Sequence, residues 1–261
     1  ASENGFSTSI LGNPVSKSQL REVIKIQRPG YFQVSLEGLR EHNDIIRAKG
    51  NFDRTIKFLS TLGDFAVSSA VMLTLTKDNI KQVIPLAEIL RGKTGHFTFN
   101  RLSPVGEGSE LKLPNRDQYA AFLAAYLDAA KNNPIMGFKD NLINIELHKR
   151  GNELFDGCSG FGCGAAFNFV AVLADGEVHA CRKFPSLIGN ITTQSLSDIY
   201  DSALAARYRK RSRACRLCKL KHACGGCLAV TRGYSFSIFE ERDPHCFFAE
   251  ISTTEDISKL L

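Results

Sequence analysis

The chain has 261 residues, 43% of them hydrophobic and 23% charged, and its formal net charge is +6. This composition is that of a folded globular protein and excludes disordered and collagen-like chains. No apolar run approaches the roughly 20 residues that a membrane-spanning helix needs. The length allows one or two domains with a real core, so the fold does not depend on disulfides.

The first part of the chain alternates between predicted strands and helices. Strands are predicted at 6–10, 31–36, 66–75 and 96–102, and helices at 16–26, 52–62, 78–90 and 117–131. Ser16, Asp78 and Asn115 are the expected N-caps of three of these helices. Residues 37–51 and 103–114 are predicted as loops. Four strand–helix units in a row predict a parallel α/β sheet, either doubly wound or part of a barrel.

Polar residues stand where these strands end. The C-terminal end of the second predicted strand carries Ser35 and Glu37, that of the third carries Thr74 and Thr76, and that of the fourth carries Arg101. Ligands of parallel sheets bind beyond the C-terminal ends of the strands, so we expect a site there. Neither glycine-rich phosphate loop motif occurs in the chain.

The later part of the chain is predicted to be loop-rich. A strand at 167–173, the turn Asp175-Gly176 and a return strand at 177–181 form a hairpin that carries Cys181. A helix capped by Ser195 is predicted at 195–209. A region with so many loops suits ordering by metal rather than by a large core.

All eight cysteines lie in this later part. They are Cys158, Cys163, Cys181, Cys215, Cys218, Cys224, Cys227 and Cys246. Four thiolates saturate one [4Fe–4S] cluster or one tetrahedral zinc ion, so eight predict two four-cysteine metal sites. Disulfides need an oxidising compartment, and the first residues lack a secretory signal, so we expect a cytoplasmic protein. Spacing alone slightly favours zinc over iron.

A basic run lies beside the cysteines. Residues from Arg207 to Lys221 include eight Lys and Arg and no acid. A [4Fe–4S]2+ core on four thiolates carries a charge of about −2, which this run can offset. Few aromatic residues interleave the run, so a nucleic acid is not the expected partner, although it stays an alternative.

The later part resembles the SPASM domain of radical S-adenosylmethionine (radical SAM) enzymes. Four residues separate Gly176 from Cys181, and the run C-R-L-C-K-L-K-H-A-C-G-G-C approximates the family pattern C-x2-C-x5-C-x3-C. The phrase Asp243-Pro244-x-Cys246 is also typical of the family. Cys224 and Cys227 have two residues between them instead of three, which we interpret as a shortened loop that keeps both ligands.

The resemblance implies a ligand assignment. One auxiliary [4Fe–4S] cluster would use Cys158, Cys163, Cys181 and Cys227, and the other would use Cys215, Cys218, Cys224 and Cys246. Both would be ligated by protein alone, as expected of electron carriers or structural clusters. The implied domain boundaries are a partial barrel at 1–133, a linker at 134–157, the SPASM domain at 158–250 and a tail at 251–261.

The first 133 residues resemble the later half of the radical SAM partial barrel. The run Q-V-S-L-E-G-L-R-E-H-N-D-I-I-R is similar to a family phrase whose residues contact S-adenosylmethionine. The implied contacts here are Ser35, Glu37, Arg47 and Leu102. The alternative is that Ser35, Glu37 and Arg47 are ordinary polar groups at strand ends and in loops.

The resemblance implies a function and a limit to it. Radical SAM enzymes with SPASM domains abstract hydrogen from peptides or proteins with a 5′-deoxyadenosyl radical, and an electron donor protein serves them. The phrase C-G-A-A-F-N-F-V is most similar to maturases of ribosomally made peptides. In the sulfatase-maturating relatives, the position of Arg182 is held by an aspartate that acts as the base. Its absence here argues against their oxidation of serine or cysteine.

The family's C-x3-C-x2-C motif, which ligates the radical-generating cluster, does not occur in this sequence. We therefore expect a fragment of such an enzyme that is inactive by itself, with S-adenosylmethionine and a third cluster only in the intact protein. The alternative is a zinc- or cluster-binding module, not an enzyme, that recognises a peptide or nucleic acid.

Overall fold

The computed structural model describes residues 2–158 and 161–248. The chain divides into two compact units. The first comprises the residues up to 101 together with 124–137, and the second comprises 102–123 together with the residues from 138 onward. The division falls within one helix, Arg116–Ala130.

A four-stranded parallel sheet forms the first unit. Its strands are β1 (Ile10–Leu11), β2 (Phe32–Ser35), β3 (Ser69–Leu75) and β4 (His96–Arg101), in that spatial order. The connecting helices are α1 (Lys17–Ile26), α2 (Arg40–Arg47), α3 (Asn51–Asp64) and α4 (Val83–Leu90). All three strand pairs are parallel, which confirms the predicted α/β class.

The core of the first unit centres on β3. Val71, Leu73 and Leu75 have no exposed surface, because β3 lies between β2 and β4. Residues of such a strand are covered on both faces, which explains its nearly continuous apolar sequence. At the start of α1, Ser16 and Gln19 form the predicted N-cap as a reciprocal capping box.

The prediction of a polar loop at 37–51 is wrong, because this segment contains α2. Asn43 is fully buried and accepts a hydrogen bond from the Glu37 N–H at 3.0 Å, whereas Ile45 is 81% exposed. The apolar residues of α2 are Ile45 and Ile46 alone, so the sequence lacks the apolar residues at i, i+3 and i+4 from which a buried helix face is predicted.

The predicted cap at Asp78 is also wrong. One turn of 3-10 helix, Ile80–Gln82, precedes α4, whose N-cap is Gln82. Asn79 forms the local turn instead: its Oδ1 accepts the Thr76 N–H, and its Nδ2 donates to the carbonyls of Glu37 and Thr74. An amide can both accept and donate, whereas an ionised carboxylate only accepts.

The second unit contains a small antiparallel sheet and short helices. The strands β5 (Ala171–Val172), β6 (Glu177–His179) and β7 (Leu187–Asn190) pair in that order. The helices are α5 (Arg116–Ala130), which spans the division, α6 (Ile143–Lys149), α7 (Leu196–Asp201), α8 (Ala203–Lys210) and α9 (Leu228–Gly233). Gly176 makes the predicted hairpin turn at φ +86°.

Three predicted boundaries in this unit are wrong. The first hairpin strand covers only β5, and Cys181 lies two residues beyond β6 rather than on it. Helix 195–209 is split into α7 and α8, because Ser202 is extended and its hydroxyl accepts the Ala205 N–H as the N-cap of α8.

The segment predicted as a linker, 134–157, contains α6. Four residues of α6 are buried: Ile143, Asn144, Ile145 and Leu147. Among the described residues, the helices are all too short or too polar to cross a membrane.

Candidate metal centres

The first set of cysteines comprises Cys158, Cys163, Cys181 and Cys227. Cys158 and Cys163 lie in the connection between α6 and β5, Cys181 follows β6, and Cys227 is the N-cap of α9. The thiols of Cys158 and Cys163 are hydrogen-bonded, and those of Cys158 and Cys227 interact electrostatically with Cys181. The fold therefore brings together the four residues that the resemblance assigned to one cluster.

The second set comprises Cys215, Cys218, Cys224 and Cys246. These four residues line one enclosed cavity together with apolar side chains that include Leu142, Ile145, Leu220 and Phe248. The thiols of Cys218 and Cys246 both interact electrostatically with Cys215. A cavity bounded by four thiols and closed by apolar side chains fits a four-thiolate centre that is shielded from water.

The eight thiols form no disulfide. Burial raises the pKa of Cys181 and of Cys215, each to about 11. The pKa of Cys163 is raised mainly by its hydrogen bond with Cys158 and then by burial. These thiols are therefore protonated at neutral pH in the metal-free chain, and metal binding must release protons. Within the described residues, no three His, Cys, Asp or Glu are grouped around a position for one metal ion.

The loops of the two sets are in direct contact. The Cys163 N–H donates to the Cys224 carbonyl at 3.0 Å. The guanidinium of Arg211 donates to the carbonyls of Lys221, Phe161 and Cys163. One arginine therefore ties the loop of the first set to that of the second.

A glycine makes this close approach feasible. Gly162 has φ +71°, and a Cβ added there would lie 2.3 Å from the Cys224 carbonyl oxygen. No side chain fits at that distance, so the two loops can meet only at a glycine.

Two buried amides position the ligand loops, and sequence analysis missed them. Asn141 accepts the Cys158 N–H at 2.7 Å and donates to the Gly226 carbonyl at 2.7 Å. Asn144 donates to the carbonyls of Ala223 and Phe155. Their signal in the sequence is two asparagines three residues apart within the otherwise apolar run N-L-I-N-I.

Charged residues surround the two sets unequally. Lys183 Nζ lies 3.8 Å from Cys227 Sγ, and Lys139 interacts electrostatically with Cys158, Arg182 and Lys183. Burial lowers the pKa of Lys139, and the two neighbouring cations lower it further.

Near the second set, the charges of Asp243 and Arg242 both act on the Cys246 thiol. The buried Asp243 carboxylate also accepts the Cys227 N–H at 2.8 Å, and hence contacts both sets.

Three of the four implied S-adenosylmethionine contacts lie in the first unit. Ser35 ends β2 and is half-buried. The Glu37 carboxylate is buried and accepts hydrogen bonds from Arg47 Nε at 3.0 Å and from the Thr74 N–H at 2.9 Å. Glu37 is thus engaged within the protein, and its evident effect is to orient Arg47.

Arg47 lines an open cleft of about 590 Å³. Asn13, Pro14, Ile46, Asn51 and Arg54 complete the lining of this cleft. A volume of this size suits a small organic ligand, and two guanidinium groups suit one that carries a carboxylate. Leu102, the fourth implied contact, directly follows β4 and is buried.

Comparison with known proteins supports the iron–sulfur interpretation. Residues 163–225, which include five of the eight cysteines, match the SPASM family, described as an iron–sulfur cluster-binding domain. The chain is 25% identical over 242 residues to the antilisterial bacteriocin subtilosin biosynthesis protein AlbA of Bacillus subtilis (strain 168), covering 87% of this chain and 50% of AlbA.

A second relative is the AdoMet-dependent heme synthase of Methanosarcina barkeri (strain Fusaro / DSM 804). It is 24% identical over 234 residues, which cover 82% of this chain and 66% of the synthase. The chain therefore spans between half and two-thirds of the length of these two relatives.

The fold is similar to the crystal structure of SuiB from Streptococcus suis, with a TM-score of 0.67 and 19% identity over 94% of this chain and 61% of SuiB. SuiB has also been solved bound to S-adenosylmethionine and bound to the precursor peptide SuiA. The predicted fold class and the resemblance to radical SAM enzymes with a SPASM domain are confirmed. The alternative of a binding module without enzymatic function is not favoured.

Proposed function

We propose that this chain is part of a radical SAM enzyme that modifies a ribosomally made peptide or protein. The observation that carries the proposal is the separation of eight thiols into two sets of four, with the membership that the SPASM resemblance implies. Each set is proposed to hold one auxiliary [4Fe–4S] cluster.

The donor chemistry fits these clusters. Thiolate sulfur is the usual ligand of iron–sulfur clusters, and four thiolates leave no iron open to a substrate. The protein's contribution is then to bury the sites, to supply N–H groups such as that of Gly226, which lies 3.4 Å from Cys224 Sγ, and to place charges beside them. Electron transfer or structural support is the role that such closed sites can perform.

Arg47 is the proposed contact for S-adenosylmethionine in the first unit, and Glu37 is its positioning residue. Ser35 and Leu102 remain proposed contacts on the resemblance alone. S-adenosylmethionine supplies a 5′-deoxyadenosyl radical when it is bound at a reduced cluster. The sequence has no cysteine before Cys158, so radical formation is proposed only for the whole protein.

A peptide is the proposed substrate class. AlbA is named for the biosynthesis of a bacteriocin, and SuiB has been solved with a precursor peptide. The heme synthase relative makes a haem precursor the rival substrate. An electron donor protein is a further proposed partner. The cytoplasmic location also stays a prediction, and a reducing compartment would suit eight thiols that form no disulfide.

Turnover of the whole protein tests this function. The anaerobically loaded enzyme is incubated with S-adenosylmethionine, dithionite and either a precursor peptide encoded beside its gene or an iron porphyrin precursor. We expect 5′-deoxyadenosine and a mass change in the peptide. Conversion of the porphyrin alone would contradict the proposed substrate class.

Binding of S-adenosylmethionine to the Arg47→Ala variant of the whole protein tests the proposed contact. Loss of a charge-assisted hydrogen bond should weaken binding about tenfold or more. Arg91→Ala is the control, because Arg91 lies in the same unit and its side chain pairs with the exposed Glu88 at 2.9 Å. Equal affinities of the two variants would contradict the assignment of Arg47.

A further inference from the structure

The two proposed cluster sites differ in their charged surroundings. Near the first set, three cations converge: Lys183 at 3.8 Å from Cys227 Sγ, Lys139 beside Cys158, and Arg182 within electrostatic reach of Lys139. The Asp243 carboxylate accepts the Cys227 N–H, so one negative charge also lies close to this set. Three cations and one carboxylate leave these surroundings net positive.

The second set has no such excess of cations. The Asp243 carboxylate acts on the thiols of Cys215, Cys224 and Cys246. Asp140 acts on Cys224 as well, and the cation that opposes these carboxylates at Cys215 and Cys246 is Arg242. Lys221 is exposed and also lines the cavity of this set. Two carboxylates and two cations leave these surroundings without a net positive charge.

Local charge sets the reduction potential of an iron–sulfur cluster, because reduction adds one negative charge to the site. Cations stabilise the reduced form and raise the potential, whereas carboxylates lower it. The effect is larger at buried positions, where water screens charges less. Asp140 and Asp243 are buried at the second set. Lys139 and Lys183 are half-buried at the first set and Arg182 is exposed, so water screens the charge of Arg182 most.

We propose that Lys139, Arg182 and Lys183 make the first set the more easily reduced of the two sites. This inference rests on the proposed function, since it needs a cluster at each set. One electron given to the fully oxidised chain would then reside at the first set. The hydrogen bond from the Cys163 N–H to the Cys224 carbonyl gives an electron a short route between the second set and the first.

A potentiometric titration of the reconstituted chain tests the inference. Dithionite supplies the electrons, and electron paramagnetic resonance follows each reduced cluster. We expect two separate potentials. Lys183→Gln, which removes the charge but keeps a donor, should make only the higher potential more negative, and Lys183→Arg should restore it. Lys139→Gln is a second variant that acts on the same site.

Two further variants are the controls. Arg242→Gln removes the cation that acts on Cys215 and Cys246, so it should make only the lower potential more negative. Lys210→Gln changes the net charge equally at an exposed position of the basic run and should leave both potentials unchanged. Iron content is measured for every variant, because an effect on cluster retention would change the iron count rather than the potential.

The outcomes separate the two proposals. A chain that takes up no iron contradicts the proposed function, and this inference with it. A chain with two clusters contradicts the inference alone if the potentials coincide, or if Lys183→Gln shifts the lower one.

Discussion

Burial raises the pKa of the Cys181 and Cys215 thiols from the ordinary 9.0 to about 11. In the metal-free chain the folded state retains protons that the unfolded state has lost between these two values. The resulting stability is complete below about pH 9 and is lost as the pH rises through about 11. In the loaded chain the thiolates are bound to metal at both ends of this pH range, so its stability lacks this dependence.

Urea unfolding of the metal-free and loaded chains across this pH range is the measurement. Lysines and tyrosines titrate in both forms, so the difference between the two forms isolates the thiols. A metal-free chain whose stability falls no faster than that of the loaded chain would show that the thiols are not buried as described.

Asn141 has a structural effect that can be measured without metal. Asn141→Ala leaves the Cys158 N–H and the Gly226 carbonyl without their present partner. A buried polar group without a hydrogen bond costs about 1–3 kcal/mol, so the free energy of unfolding should fall by about 2 kcal/mol or more. Asn152→Ala, at an exposed position in the same unit, should change it by less than about 0.5 kcal/mol. Similar losses in both variants would contradict the role of Asn141.

At the scale of the loops, the contact between the two sets depends on Gly162. Gly162→Ala would place a Cβ 2.3 Å from the Cys224 carbonyl oxygen at a positive φ. Gly151 has a similar φ of +67° with nothing within 4 Å of an added Cβ, so Gly151→Ala isolates the conformational cost of about 1 kcal/mol.

We expect Gly162→Ala to lose cluster from both sets and Gly151→Ala to retain it. Iron analysis after gel filtration measures this difference. Full retention of iron in Gly162→Ala would mean that the loops of the two sets need not approach each other.

The sequence predicted the parallel sheet well because apolar runs and capping residues agree there. β3 is nearly continuously apolar, and Ser16 and Asn115 cap their helices through Gln19 and Gln118. The sequence analysis failed at α2, where the buried residue is Asn43, and at α6, where Asn144 lies among three buried apolar residues. Hydrophobic periodicity cannot detect an element whose buried face forms hydrogen bonds.

In the candidate site, too, some features could be predicted from the sequence and others could not. The cysteines and their pairing into sets were predictable, because the resemblance depends on their spacing. Asn141 and Arg211 were not, because they act on backbone groups of loops whose meeting is decided by the fold. Glu37 was predicted as a ligand contact, and the structure instead shows its carboxylate engaged with Arg47 and Thr74.

At the scale of the whole molecule, metal and folding of the second unit are expected to be coupled. Cys218 lies in the cavity of the second set, in a region with short helices and many loops. Cys218→Ser should lower the melting temperature of the loaded chain markedly and reduce its iron by about half.

The same substitution in the metal-free chain is the control. Serine is close to cysteine in size, so melting of the metal-free chain should change little. An equal loss of stability with and without metal would indicate that Cys218 contributes through packing alone.

Metal analysis of the anaerobically reconstituted chain tests the account most directly. We predict about eight iron and eight sulfide per chain, a brown colour with broad absorbance near 400 nm, and Mössbauer parameters of [4Fe–4S]2+ clusters. A colourless protein that binds about two zinc ions and no iron would contradict the account.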